Sequence, residues 1–253
     1  MTVELAAGEA VYSGFINGVT PARLPDGAPP IKNVANTNVG IFDDRLLVYF
    51  EGGLPFSLDP QTLQTLGTHD FHGGIGMLCT ARVKPDPPSG DLLFFAAMGP
   101  LNTWYRADAT TGPIVDSPSF EIGVPVLMHD FAVSENYAIF FVTPALMRFD
   151  LAAQGLPGVV WDEAAVPDGV RVALMHRRTH EVTWHTLGAH FSNTHFFNAY
   201  ERDGELIIDG HRITRLGTPP TGSTPPSGHT NGSRPPCPTA GGSTWVPDTR
   251  RSS

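Results

Sequence analysis

Residues 91–108 read Asp-Leu-Leu-Phe-Phe-Ala-Ala-Met-Gly-Pro-Leu-Asn-Thr-Trp-Tyr-Arg-Ala-Asp, and this stretch sets the class of fold. Short runs of β-branched and aromatic residues of this kind, broken by Asp, Pro, Gly and Asn, continue from Asn33 to Asp209 without a long 3.6-residue period. The pattern predicts an all-β protein. The candidate strands are Leu46 to Glu51, Leu92 to Ala97, Ala138 to Val142, Glu181 to Trp184 and Leu206 to Asp209.

A repeated unit accompanies these strands. Phe56-Ser57-Leu58-Asp59, Tyr105-Arg106-Ala107-Asp108 and Arg148-Phe149-Asp150 each suggest a strand that ends in an Asp, and the intervals are 108 − 59 = 49 and 150 − 108 = 42 residues. Repeats of about 40 to 50 residues built from short strands are typical of propeller blades. The alternative, that Asp simply favours turns, stays open on this pattern alone.

Three residues occupy a similar position in the repeat, about ten residues before an apolar strand. Arg82 stands ten residues before the apolar strand at Leu92, His129 nine before Ala138, and His195 eleven before Leu206. Equivalent positions in successive blades can converge on the axis of a propeller although they are far apart in sequence. The pattern therefore predicts that these side chains meet at one point.

Composition excludes some function classes. The net charge of -9 does not suit a nucleic-acid partner, which requires a basic surface. Only Cys79 and Cys237 are present, so we expect no disulfide framework. Residues Met1 to Glu9 lack a basic segment followed by an apolar run, and no run of about 18 apolar residues suggests a membrane span. We therefore expect a cytoplasmic location and no integral membrane segment.

The chain is expected to divide into a lead-in at 1–32, a β-propeller portion at 33–216 and a disordered tail at 217–253. The tail is predicted from its Pro, Gly, Ser and Thr content, which buries too little apolar surface to offset the entropy of ordering.

Several motifs in this order resemble those of the carotenoid oxygenase family, including its lignostilbene-cleaving branch. They are Asn33 to Val39, Glu51 to Pro55, Leu58 to Pro60, Thr80-Ala81 with Lys84, Asp86-Pro87 and Gly90, Met128 to Phe131, and His195 to Glu201.

The resemblance implies a seven-bladed propeller, of which this chain would hold about three or four blades. It implies an iron(II) ion, Fe(2+), held by four histidines, with His129 and His195 among its ligands. Glu51 would accept the far N–H of a ligand histidine. Dioxygen and an apolar conjugated substrate, an apocarotenoid or a stilbene, would yield two carbonyl products. No residue is assigned as a general acid or base.

The departures from the family pattern are as informative as the matches. Arg82 stands where the family has its first ligand histidine, and a guanidinium has no lone pair to give a metal. The fourth ligand would lie beyond Asp209, in blades that the sequence does not show. The alternative function is therefore an inactive propeller fragment that binds an apolar ligand or a protein, and its uncovered blade edges predict self-association.

A rival metal motif is present at His180-Glu181-Val182-Thr183-Trp184-His185. The metalloprotease pattern needs histidines four residues apart on a helix, whereas these are five apart in a stretch that favours a strand. We expect His176, His180, His185 and His190 to serve solvated or loop roles.

Overall fold

The computed structural model describes residues 33–152 and 156–214, together with the backbone of 242–245. It is almost entirely β-structure, arranged as successive antiparallel sheets that we call blades 1 to 4. Blade 1 contains β1 (Asn38–Phe42), β2 (Arg45–Tyr49), β3 (Phe56–Leu58) and β4 (Thr65–Thr68). Blade 2 contains β5 (Lys84–Pro85), β6 (Leu92–Met98), β7 (Leu101–Ala107) and β8 (Ile114–Asp116), and β9 (Ser119–Glu121) also pairs with β7.

Blade 3 is interrupted by an insertion. Its strands are β10 (Ala132–Val133), β11 (Tyr137–Val142), β14 (Arg171–His176) and β15 (Val182–Thr186). The insertion is the hairpin β12 (Ala145–Met147) and β13 (Val159–Trp161), with the single helical turn α1 (Phe149–Ala152) in it and a 3₁₀ turn (Glu163–Ala165) after it. Blade 4 contains β16 (Phe196–Arg202), β17 (Glu205–His211) and β18 (Gly242–Trp245).

The blades pack face to face, which explains the apolar runs in the sequence. Because successive strand side chains point to opposite faces, a strand between two blades must be apolar on both. In β6, Leu92 and Phe94 pack against blade 1, whereas Leu93 and Phe95 pack against blade 3. Strand β11 repeats the arrangement between blades 2 and 4. The all-β propeller portion predicted from the sequence is confirmed.

The predicted repeat is confirmed at two of its three positions. Asp59 and Asp108 follow the third strand of blades 1 and 2, and each accepts two backbone N–H bonds and a Thr hydroxyl bond within its turn. The prediction for the third position, Asp150, was wrong. Asp150 lies in α1, inside the insertion, and pairs with Arg148. The third strand of blade 3 is β14, so the 42-residue interval is not a blade period.

Polar contacts also join neighbouring blades. Glu201 on β16 accepts hydrogen bonds from the Ser134 hydroxyl at 2.7 Å and from the backbone and side chain of Asn136, both at 2.9 Å. Burial is the largest influence on the Glu201 carboxyl and raises its pKa, but these hydrogen bonds outweigh it and leave the pKa below the ordinary value. Glu201 therefore has a structural role, since it joins blade 4 to blade 3.

The two ends of the described sheet stack differ from its interior. The outer face of blade 1 carries exposed apolar side chains, with Val39 55% and Ile41 66% exposed. Self-association through such surfaces stays a prediction. Within the predicted tail, residues 242–245 form a strand on β17, whose free edge bonds to their extended backbone. The rest of the tail and the lead-in lie outside the described residues.

In the part of the chain that the structure describes, no helix is both long and apolar enough to cross a membrane.

Candidate metal centre

Arg82, His129 and His195 occupy equivalent places in blades 2, 3 and 4. Each lies in the connection that enters the first strand of its blade: two residues before β5, three before β10 and one before β16. The face-to-face stacking of the blades brings these three connections side by side. The structure therefore unites the three residues that the phase of the repeat singled out.

The side chain of Arg82 bridges the two histidines. Its Nε donates to Nε2 of His129 at 3.1 Å, and its Nη2 lies 2.8 Å from Nε2 of His195. The two imidazole rings are 5.1 Å apart between centroids and tilted by 58°. The Nε2 atoms of the two rings thus face one point, and each is within hydrogen-bond distance of a guanidinium nitrogen.

These contacts fix the protonation of both rings. A guanidinium can only donate, so each Nε2 must accept and carry no proton. In His129 the remaining proton is on Nδ1, where Oε1 of Glu51 is in contact with it. Glu51 therefore sets the direction and the tautomer of the His129 ring, as a carboxylate behind a ligand histidine would.

His195 is the exposed member of the group, although the residues around it still perturb it. Burial of part of the ring lowers its pKa most, and the positive charge of Arg82 and the neighbouring His129 lower it further. The neutral form that accepts a hydrogen bond from Arg82 is the form favoured by this environment.

Asp130 connects the three loops, and the sequence interpretation gave it no role. Its buried carboxylate accepts the backbone N–H of Phe196 at 2.9 Å and pairs with Nζ of Lys84 at 3.0 Å. It thereby links the residue after His195 to the residue two positions after Arg82. The sequence did indicate Asp130 as a candidate, because it follows His129 within the motif Met128 to Phe131. Its binding partners could not be predicted, because they depend on contacts between blades.

An open cavity of about 380 Å³ adjoins the group. Its walls combine charged residues with Phe196 and Phe197. The lining residues are Asn38, Arg82, Val83, Lys84, Asp130, His195, Phe196 and Phe197. The charges of Lys84 and Asp130 cancel in their ion pair, so the guanidinium and the aromatic rings dominate the character of the wall.

The residues present do not fit a tightly bound iron ion. A metal needs the Nε2 lone pairs of His129 and His195, and both already accept hydrogen bonds from Arg82. Across residues 33–152 and 156–214, no set of three or more His, Cys, Asp or Glu side chains is arranged to hold a metal. Two histidines and a cation are a poor site for a divalent ion.

Three of the four other histidines that the sequence analysis considered have separate structural partners. His180 contacts Asp116 at 2.9 Å, and His190 contacts the backbone oxygen of Val166 at 2.8 Å. His176 accepts backbone N–H bonds within its turn. The metalloprotease motif is absent as a helix, because residues 182–186 form β15.

Comparisons with known proteins agree with this architecture. The family model described as "RPE65: Retinal pigment epithelial membrane protein" matches residues 1–237. An isoeugenol monooxygenase of Pseudomonas nitroreducens is 31% identical over 216 residues, which cover 82% of this chain and 44% of that protein. A chloroplastic 9-cis-epoxycarotenoid dioxygenase of Oryza sativa subsp. japonica is 32% identical over 220 residues, covering 78% of this chain and 34% of the relative.

Among solved structures, the lignostilbene dioxygenase of Pseudomonas brassicacearum superimposes with a TM-score of 0.71 at 26% identity. The match covers 83% of this chain and 44% of that one. The chain thus spans less than half the length of each of these three proteins.

Proposed function

The chain belongs to the retinal pigment epithelial membrane protein (RPE65) family, which includes carotenoid and stilbene cleavage oxygenases, and from that premise we propose that its function is the oxidative cleavage of a conjugated C=C bond. The substrate would be an apocarotenoid or a phenolic stilbene, and dioxygen would convert the two alkene carbons into two carbonyl groups. The names of the relatives support an oxygenase acting on an apolar substrate.

One observation carries this proposal. Nε2 of His129 and Nε2 of His195 point at a common position, and Glu51 fixes the first of these rings from behind. These two imidazoles are the groups that would hold an iron(II) ion, which supplies dioxygen activation when bound, but with Arg82 between them they do not fit that ion. In the present arrangement Arg82 takes both lone pairs, so the cleavage reaction requires a site in which that residue no longer does so.

The chain's own residues would contribute orientation. Phe196 and Phe197 offer aromatic surface beside the axial group, where a conjugated chain or ring can stack. Asp130 holds the backbone of Phe196, which keeps this surface at a fixed distance from His195. An apolar substrate would therefore lie across the mouth of the cavity with its double bond near the two imidazoles.

A second function is favoured by the contacts of Arg82. If the guanidinium stays between the histidines, the same cavity binds a conjugated molecule without cleaving it. The two candidates share a ligand class and differ in product formation.

One experiment separates them. The purified chain is incubated anaerobically with Fe(II), then with dioxygen and a panel of stilbenes and apocarotenals, and aldehydes are measured by mass spectrometry. Binding is followed in parallel by quenching of tryptophan fluorescence. Aldehyde formation supports cleavage, and saturable quenching without aldehyde supports the binding function. If no compound of the panel binds or reacts, both candidates are wrong.

A further inference from the structure

We propose that the guanidinium of Arg82 replaces a metal ion on the propeller axis and holds His129 and His195 together in its stead. The proposal relies on the proposed function only for identifying this axis. In the proposal, Arg82 has a structural role at a position where the family has a metal ligand. The site of this chain is then free of metal.

The first argument is geometric. Arg82 addresses both imidazoles at once, with Nε 3.1 Å from Nε2 of His129 and Nη2 2.8 Å from Nε2 of His195. The guanidinium is planar and rigid, so two donors on one group fix the two rings relative to each other. A metal bound to both rings would need the same two lone pairs. The metal and the guanidinium therefore exclude one another.

The second argument is the balance of charge. Lys84 is paired with Asp130, and Glu51 contacts the protonated nitrogen of His129. No carboxylate within residues 33–152 or 156–214 forms an ion pair with Arg82. Among the described residues, the hydrogen-bond partners recorded for the guanidinium are the lone pairs of the two neutral rings, and a divalent cation beside it would be repelled at close range.

The third argument concerns what stays in place when Arg82 is replaced. Glu51 contacts His129 independently of the guanidinium, and Asp130 anchors the backbone beside His195. Asp130 also fixes Lys84, two residues after Arg82, so the loop that carries position 82 has its own anchor. A histidine at position 82 would join two imidazoles that are already directed at the axis.

Co(II) binding tests the proposal without any substrate. Co(II) is added to the wild-type chain, to Arg82→His and to Arg171→His, and the visible absorption of the bound ion is recorded at neutral pH. Arg171 lies over the ring of Trp184, 4.2 Å from its centroid, and makes the matched control because it introduces a histidine outside the group. We expect Arg82→His to bind about one ion per chain, since imidazole suits this class of metal, whereas the wild type and Arg171→His bind none at equal concentration.

A second measurement uses the wild type alone and does not depend on the variants folding. In ¹⁵N-labelled protein, Arg82 Nε–H should show a scalar coupling across its hydrogen bond to Nε2 of His129, and both Nε2 nuclei should have the shifts of unprotonated nitrogen. Tight stoichiometric Co(II) binding by the wild type, or the absence of that coupling, would overturn the proposal. So would a folded Arg82→His chain, with unchanged circular dichroism, that gains no metal.

These readouts are independent of product formation. The inference is compatible with the ligand-binding candidate and not with cleavage by the wild type, so iron-dependent aldehyde formation by the wild type would also overturn it. A chain that binds no compound of the panel would refute the proposed function and leave the metal titration and the nitrogen spectra to decide the inference.

Discussion

The role of Asp130 leads to a quantitative prediction about stability. Asp130 is 6% exposed, and its carboxylate accepts from Lys84, from the backbone of Phe196 and from the backbone of its neighbour Phe131. Replacement by Ala leaves a partly buried ammonium group and a backbone N–H of another blade without their acceptor. Breaking a buried ion pair costs about 3 to 5 kcal/mol, and each charge-assisted hydrogen bond contributes about 1.5 to 3 kcal/mol. Because the Lys84 side chain is 27% exposed, water can replace part of the lost ion pair, so we expect Asp130→Ala to lower the free energy of unfolding by about 3 to 4 kcal/mol, less than the sum of these costs.

The assay is urea unfolding, followed by tryptophan fluorescence and by far-ultraviolet circular dichroism. Trp104 is fully buried between blades 2 and 3, so its emission reports the interface beside Asp130. With a urea dependence of about 2 to 3 kcal/mol per molar, the midpoint should fall by about 1 to 2 M. Asp130→Asn, which keeps the shape and loses the charge, should give a smaller fall.

Asp150→Ala is the matched control, because this carboxylate also pairs with a basic side chain, that of Arg148, but lies on the exposed surface of the insertion. Its midpoint should match that of the wild type. The reasoning is refuted if Asp130→Ala shifts the midpoint by less than about 0.5 M, or if the control variant loses as much stability. In the ¹⁵N spectra, Asp130→Ala should also move the ring signals of His195, because the backbone next to that residue loses its anchor.

Three further outcomes follow from the same contacts. Phe94→Ala should cost about 3 to 5 kcal/mol, because the ring is buried between blades 1 and 2 and stacks on two aromatic neighbours; a urea midpoint equal to that of the wild type would contradict this. Glu51→Gln should change the ¹⁵N shifts of His129 and leave those of His180 unchanged, since only the first ring contacts this carboxylate. Glu201→Gln should be less stable than the wild type at pH 7, and the difference should shrink as the pH falls below about 4.5. The reason is that the folded-state pKa of Glu201 lies below its ordinary value of 4.5, so its stabilisation is lost as the pH falls through the folded pKa. A difference in urea midpoint that stays constant between pH 7 and pH 3 would refute that assignment.

The strands were predictable because both of their faces are buried. The predicted strand Leu92 to Ala97 lies within β6 (Leu92–Met98), and Leu206 to Asp209 lies within β17 (Glu205–His211). A continuous apolar run of this kind can be identified in the sequence without knowing which strands lie beside it. The turn at Asp203-Gly204 agrees with its sequence, because an Asp-Gly pair favours a tight hairpin and the two residues have positive φ angles of 55° and 79°.

The false repeat at Asp150 shows the limit of this reading. Its spacing resembled that of Asp59 and Asp108, but the insertion β12–β13 displaced the next equivalent strand to Arg171–His176. A local turn signal reports the end of a strand and not the sheet to which the strand belongs. Sheet membership is decided by hydrogen bonds between segments far apart in the chain.

For the candidate site, the sequence alone determined the three positions that face the axis, because the phase of a repeat fixes equivalent places in equivalent blades. It also determined that Arg82 cannot be a metal ligand, which follows from the chemistry of the guanidinium group. Only the tertiary structure decided that this side chain donates to both histidines and that Asp130 ties their loops together. The reason is that a side chain of this length can reach several partners, and which of them it meets depends on how the blades stack.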